Sequence, residues 1–398
     1  MKIAYLLAAA AGAVASATSL AQPAPPSAPG PAEVADAPVT AEEAKRTALT
    51  LAGILEEAYV FPDIARNYAA VLRAEAASGA YDGIGTAMAL AQRLTADVQA
   101  VSPDNHLRVL VGPPGSAGAG PRRILVRGPG GGGAPGGPQG PGGPQPRMVR
   151  MAMPPPMEEA RWLAPGVAYV RFNLFPGDAA AIQAAGRFMA DHVEAKTIIF
   201  DIRTHRGGGL GEMDAIFPYL FARPATLVTM DTRASVDRAG GNPIGDGPAM
   251  RRVPAGDEVV RREHFVTPHA TEKRLFDAKV FVLTSGFTGS AAEHFALALK
   301  RTHRAILIGE TTGGAGNYGG VRAVGDRFSV FVPVGRTFDP DTGKGWEGTG
   351  VAPDVAVPAE RALVDALVRS GVAEADAKRL SAEVAPAGPM TRIVPRRH

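Results

Sequence analysis

Three apolar runs, residues 196–201, 280–284 and 305–309, limit this chain most strongly. None alternates apolar with polar residues, so none suits a sheet with one wet face. Runs of this kind read as buried strands. The first two end in turns of small residues, Gly207-Gly208-Gly209 and Ser285-Gly286-Phe287-Thr288-Gly289, and helical patterns follow. Strands alternating with helices predict an α/β core.

The flanking segments read differently. Thr40 before Ala41-Glu42-Glu43 is a candidate N-cap with Glu43 at the third position. Leu49, Leu51, Ile54, Leu55 and Val60 follow at three- and four-residue spacing. Further helical patterns over 62–77 and 84–100 complete a small three-helix unit. Strands are expected at 106–111, 123–126, 166–172 and 328–332, with helices over 178–194 and 211–221. Between them, 16 of the 19 residues 128–146 are Gly or Pro. Such a stretch cannot bury a core and is expected as a disordered surface insertion, extended by the Met-rich residues to 157.

The expected organisation is a signal peptide over 1–21 and an Ala/Pro-rich lead-in over 22–40. A helical unit over 41–103 and an α/β core over 104–370 follow, the core containing the 128–157 insertion. A C-terminal helix and basic tail occupy 371–398. Lys2, the apolar residues 3–15 and Ser19-Leu20-Ala21 fit a cleavable export signal. The apolar run is short for a membrane span, so no stable membrane insertion is expected after cleavage. A periplasmic or secreted protein is implied.

Composition narrows the chemistry. Of 398 residues, 45% are hydrophobic and 20% charged, with a net charge of +3, which does not suggest a nucleic-acid binder. With no cysteine, thiol catalysis, iron–sulfur ligation and disulfides are excluded. The eight histidines, at 106, 192, 205, 264, 269, 294, 303 and 398, show no metal-ligand spacing. Neither a metal nor a cofactor is expected.

Three places could carry chemistry. Ser290 stands where a buried strand turns into a helix, at the positive end of the helix dipole, and the Ala291 amide is free to donate to an oxyanion. Ser290-Ala291-Ala292-Glu293 equally matches a capping box. Asp201 leads into Gly207-Gly208-Gly209, a turn whose amides can bind an anion or simply connect two elements. Asp104-Asn105-His106 and the Gly-rich run around Trp346-Glu347 could supply a base and its acidic partner, although a lone His is more often structural.

These runs in this order resemble the C-terminal processing (tail-specific) serine protease family over about residues 41–370. The matching runs are DNHLRV (104–109), GVAYVRF (166–172), IIFDIRTHRGGG (198–209), VFVLTSGFTGSAAEHFA (280–296), ILIGETTGG (306–314) and WEGTGVAPDV (346–355). The subgroup is similar to the tricorn core protease and the interphotoreceptor retinoid-binding protein modules.

The resemblance implies a crotonase-like (ClpP/crotonase-type) α/β core with a small N-terminal helical unit. It also implies peptide or unfolded protein substrates. Ser290 takes the nucleophile's place, His106 that of the general base and Glu347 that of its acidic partner. Ala291 and either Gly207 or Gly208 take the oxyanion donors' places. Ala315 stands where better-known members carry a catalytic Lys, which excludes a Ser–Lys dyad. Asn105 stands where tricorn-type sites place a serine between base and acid, and is a possible relay. No segment resembles a carboxylate-binding PDZ loop. The rival reading is a hydrophobic-ligand carrier on the same scaffold. Acyl-CoA chemistry rests on fold analogy alone and fits poorly with export.

Overall fold

The computed structural model describes residues 37–114, 154–386, 388 and 390. The expected signal peptide, most of the lead-in, the strand at 123–126, nearly all of the Gly/Pro-rich insertion and most of the basic tail lie outside these residues.

The helical unit starts as its sequence signals. The Thr40 hydroxyl accepts the Glu43 N–H at 3.2 Å and opens α1 (Ala41–Ala58). Its buried stripe is Ala44, Ala48, Leu51, Ala52 and Leu55, whereas Leu49, counted in the apolar pattern, is 42% exposed. The second helix, α2 (Pro62–Ser78), begins on a proline and ends at Gly79 in the left-handed conformation, φ 78°. Thr86 caps α3 (Ala87–Val101), and β1 (Arg108–Val111) follows.

After the undescribed stretch, regular structure resumes at Met157, earlier than the expected strand at 166. A hairpin of β2 (Met157–Ala164) and β3 (Val167–Phe172) leads to α4 (Ala179–Asp191), capped by Asp178. Then come β4 (Thr197–Asp201) and the short α5 (Gly211–Ile216). Next are β5 (Ala225–Arg233), α6 (Ala234–Arg238), β6 (Met250–Val253) and β7 (Val259–Val266). The chain continues through β8 (Lys279–Thr284), α7 (Ala291–Arg301), β9 (Ile306–Gly309), β10 (Asn317–Val324) and β11 (Phe328–Phe338). It closes with β12 (Val355–Ala356), α8 (Ala362–Arg369) and α9 (Glu374–Glu383).

Among the described residues these strands make two sheets. One runs β12-β9-β8-β4-β3-β2 and is parallel except for the β2–β3 edge. Its central strands β3, β4 and β8 bury both faces. Val170, Phe200 and Val282 pack towards α4, α5 and α7, while Tyr169, Ile199 and Leu283 pack towards α8 and α9. Each fully buried side chain of this size is worth about 1.5–3 kcal/mol relative to exposure, so the apolar runs belong at this double interface. The other sheet is antiparallel, β1-β11-β5-β7-β6, with β10 also on β11. Its β11 carries Val330 and Val332 into the core of the helical unit.

The α/β core and its N-terminal helical unit are therefore as expected. Strands β5, β6, β7 and β10 were not expected from the residue pattern. In β7 the charges of Arg261-Arg262-Glu263 hide the strand, because Arg262 is buried against Asp237 and Asp246, each at 2.8 Å.

Candidate active site

The turn between β8 and α7 is bolted to the neighbouring turn after β4. The Ser285 hydroxyl donates to Arg203 O at 2.6 Å, and the Thr288 hydroxyl donates to Ile202 O at 2.8 Å. The Gly289 N–H reaches His205 O at 3.1 Å. These bonds set the backbone of Ser290 at φ 59° and ψ −122°. Only one other non-glycine residue among those described, His303, has a positive φ. Such a conformation costs on the order of 1–3 kcal/mol and is typical of strained strand-to-helix turns that present a nucleophile.

Ser290 lines a cleft of about 350 Å³ with Gly208, Ala291, His294, Tyr318 and Trp346 among its walls. The N–H groups of Ala291 and Gly208 have no hydrogen-bond acceptor among the described residues. The two glycines expected near an oxyanion differ. Gly207 is buried and gives its N–H to His205 Nδ1 at 3.0 Å, whereas Gly208 is exposed to the cleft. Both have positive φ, 111° and 127°. A Cβ on Gly208 would collide with the Phe175 carbonyl, and one on Gly207 would lie 2.7 Å from Ser290 Cβ. His205 is fully buried against the Phe175 ring; burial, then the charge of Arg206, pushes its pKa down to about 3.

Glu293 completes the Ser290 side. One carboxylate oxygen accepts the Ser290 N–H at 2.8 Å and the Ala315 N–H at 2.7 Å. The other accepts from the Thr312 hydroxyl at 2.6 Å and the Gly314 N–H at 2.7 Å. The expected capping box is thus also a clamp on the 313–315 loop. Ala315 is part of the cleft wall.

His106 and Glu347 lie in the adjoining cluster. Asp104, His106 and Glu347 place donor atoms within 4.8 Å of one another. Asp104 is buried, and its carboxylate accepts from the Tyr59 hydroxyl, the Asn317 amide and the N–H groups of His106 and Leu107. Glu347 accepts from the N–H groups of Asn105 at 2.8 Å, Gly316 at 2.6 Å and Asn317 at 2.9 Å. Carboxylates saturated in this way leave few oxygens for a cation, so the cluster suits a proton-transfer role better than a metal. Burial, then the nearby Asp104 charge, pushes the Glu347 carboxyl up to about 7. Asn105 meets Glu347 through its backbone, and its side chain donates instead to the carbonyls of Gly313 and Gly314.

The two halves share one loop. Glu293 holds Gly314 and Ala315 from the Ser290 side, and Glu347 holds Gly316 and Asn317 from the His106 side. Sequence reasoning named Glu293 only as a cap and passed over Asp104 as a site residue. The Asp-x-His spacing, which lets a carboxylate accept the N–H two residues on, was the signal for Asp104.

Comparison with known proteins bears on the family and the fold. A family model described as Peptidase family S41 matches residues 166–357. A second, described as the N-terminal domain of Peptidase_S41 in eukaryotic IRBP, matches residues 39–125. Among solved structures, the photosystem II D1 C-terminal processing protease aligns at 18% identity and a TM-score of 0.52, covering 86% of this chain and 99% of that one. Mature CPAF aligns at 15% identity and a TM-score of 0.38, covering 55% and 52%. The tricorn protease aligns at 18% and 0.29, covering 55% and 18%. The first supports the fold, and the two family models, which between them take in both the helical unit and the core, place the chain in peptidase family S41, as a serine-type peptidase.

Proposed function

We propose that this chain is an exported endopeptidase that cleaves peptide bonds through an acyl-enzyme on Ser290, with His106 as base and Glu347 as its acidic partner. The observation that carries the proposal is the strained Ser290 turn opening on the same cleft as the acceptor-free N–H groups of Gly208 and Ala291.

In this mechanism the Ser290 hydroxyl attacks a peptide carbonyl and its proton passes to His106. The negative charge that develops on the carbonyl oxygen is met by the Gly208 and Ala291 N–H groups, donors that need no reorganisation. Gly207 is not a donor, because its N–H is committed to His205. The imidazolium on His106 is stabilised by Glu347 in its ionised form. His106 returns the proton to the leaving amine, and water, activated by the same imidazole, releases the acyl group. The Asn105 amide, which neither takes nor gives up a proton at neutral pH, braces the loop rather than relaying charge. In unliganded sites the nucleophile–base bond is often open, and it closes when substrate orders the hydroxyl.

Export rests on the first 21 residues. Among the described residues no helix is long and apolar enough to cross a membrane. A fluorophosphonate probe tests the site: wild-type protein should be labelled and Ser290→Ala should not. An unlabelled wild type would favour the ligand-carrier reading.

A further inference from the structure

The cleft contains one buried polar chain that the catalytic scheme does not use. Asp214, on α5, accepts from His264 Nε2 at 2.8 Å. His264, on β7, meets His294 Nε2 through its Nδ1 at 2.8 Å. His294, on α7, stands one turn after Ser290, and its N–H bonds Ser290 O at 3.1 Å. Both rings are buried, with 1% and 2% exposure, while the Asp214 side chain is 42% exposed. Asp214 and His294 line the Ser290 cleft.

The direction of these bonds follows from Asp214. A carboxylate oxygen only accepts, so His264 Nε2 carries its proton. A neutral His264 then has a bare Nδ1, which can only accept from His294 Nε2–H. That leaves His294 Nδ1 bare, the one ring nitrogen not engaged by His264. The Phe217 ring lies 6.0 Å from His264 and stacks on Phe295, so the pair sits among apolar rings. Burial, then the adjacent His264, pushes the His294 pKa well below its ordinary value. The other charged group on the wall, Asp246, is committed to Arg252 and Arg262. The remaining walls include Leu210, Met230, Ile244 and Met250.

We propose that His294 Nδ1 is a specificity-determining hydrogen-bond acceptor for the substrate side chain that enters the Ser290 cleft, with Asp214 and His264 as positioning residues that fix its polarity. The substrate class is peptides carrying an uncharged hydrogen-bond donor on that side chain. This rests on Ser290 being the nucleophile. An apolar side chain of equal size would leave a buried acceptor without a partner, which is what makes such a group selective.

Two isosteric pairs test it, placed in turn at each position flanking the scissile bond of a peptide substrate. Homoserine against norvaline adds a donor, and O-methylhomoserine against norleucine adds only an acceptor. At one position, wild-type kcat/KM should favour homoserine by about ten-fold, and the ether should gain nothing over norleucine. The homoserine advantage should vanish in His294→Leu and shrink in Asp214→Leu, read as the homoserine-to-norvaline ratio within each variant. Because His294→Leu could unfold the protein, melting curves accompany both variants, and Asp214→Leu at the half-exposed end carries the test alone if needed. Equal rates for homoserine and norvaline at every position, an ether preferred over norleucine, or an undiminished preference in Asp214→Leu, which has no acceptor for His264 Nε2–H, would overturn the proposal. Failure of the nucleophile assignment would show separately, as turnover surviving in Ser290→Ala.

Discussion

The Glu293 carboxylate accepts the backbone N–H of Ser290 at 2.8 Å while the same oxygen holds Ala315 at 2.7 Å. One buried side chain therefore sets both the start of α7 and the loop that faces it. Replacing it with Gln keeps one oxygen and turns an NH₂ group towards two donors. Glu293→Gln should cost about 3 kcal/mol and lower turnover, read as a fall in the denaturation midpoint beside the rate. An unchanged midpoint would show that the clamp is incidental.

Ser290 separates strain from chemistry. Glycine adopts φ 59° and ψ −122° without the steric penalty of a Cβ. Ser290→Gly should keep or raise the melting temperature, yet lower kcat/KM by at least about 10⁴-fold and abolish fluorophosphonate labelling. A clear loss of stability would make the serine side chain structural.

The acid partner should be visible in a pH profile. The Glu347 carboxyl is pushed up to about 7 by burial and then Asp104, so it is neutral below that pH and ionised above it. Only the ionised form stabilises an imidazolium on His106. Wild-type kcat/KM should therefore rise with pH through about 7. Glu347→Gln should lose about 10²- to 10⁴-fold in rate, and its remaining acid limb should move towards the ordinary His value of about 6.5. An acid limb that stayed in place would remove Glu347 from the mechanism.

His205 offers the opposite expectation. Its pKa of about 3 keeps it neutral at working pH, and its Nδ1 is the acceptor for Gly207 N–H. His205→Phe leaves that buried N–H unpaired and should cost about 1–3 kcal/mol of stability. The acid limb of the activity profile should not move. If it did, His205 rather than His106 would be the titrating base.

Much of this protein was legible because it is local. Thr40 caps α1 by a bond three residues long, and the helical pattern over 62–77 falls within α2. The buried strands around Phe200 and Val282 are continuous apolar runs, and small residues had to follow them where the chain turns. The placement of Ser290 at a strand-to-helix turn came from the same pattern, and the family resemblance supplied a chemical role.

What the sequence could not carry is which partner each polar group finds. Gly207 and Gly208 are equivalent in sequence, and they differ only because His205 folds back under one of them. The charges of β7 find their partners in Asp231, Asp237 and Asp246, which arrive from other segments. Glu293 meets Gly314, Asn105 meets Glu347, and Asp214 meets His264 across separations of 21, 242 and 50 residues. Hydrogen bonds at that range are satisfied only after the sheets and helices have packed. The tertiary structure therefore decides which amide faces the cleft, which carboxylate is raised, and which ring nitrogen is left bare.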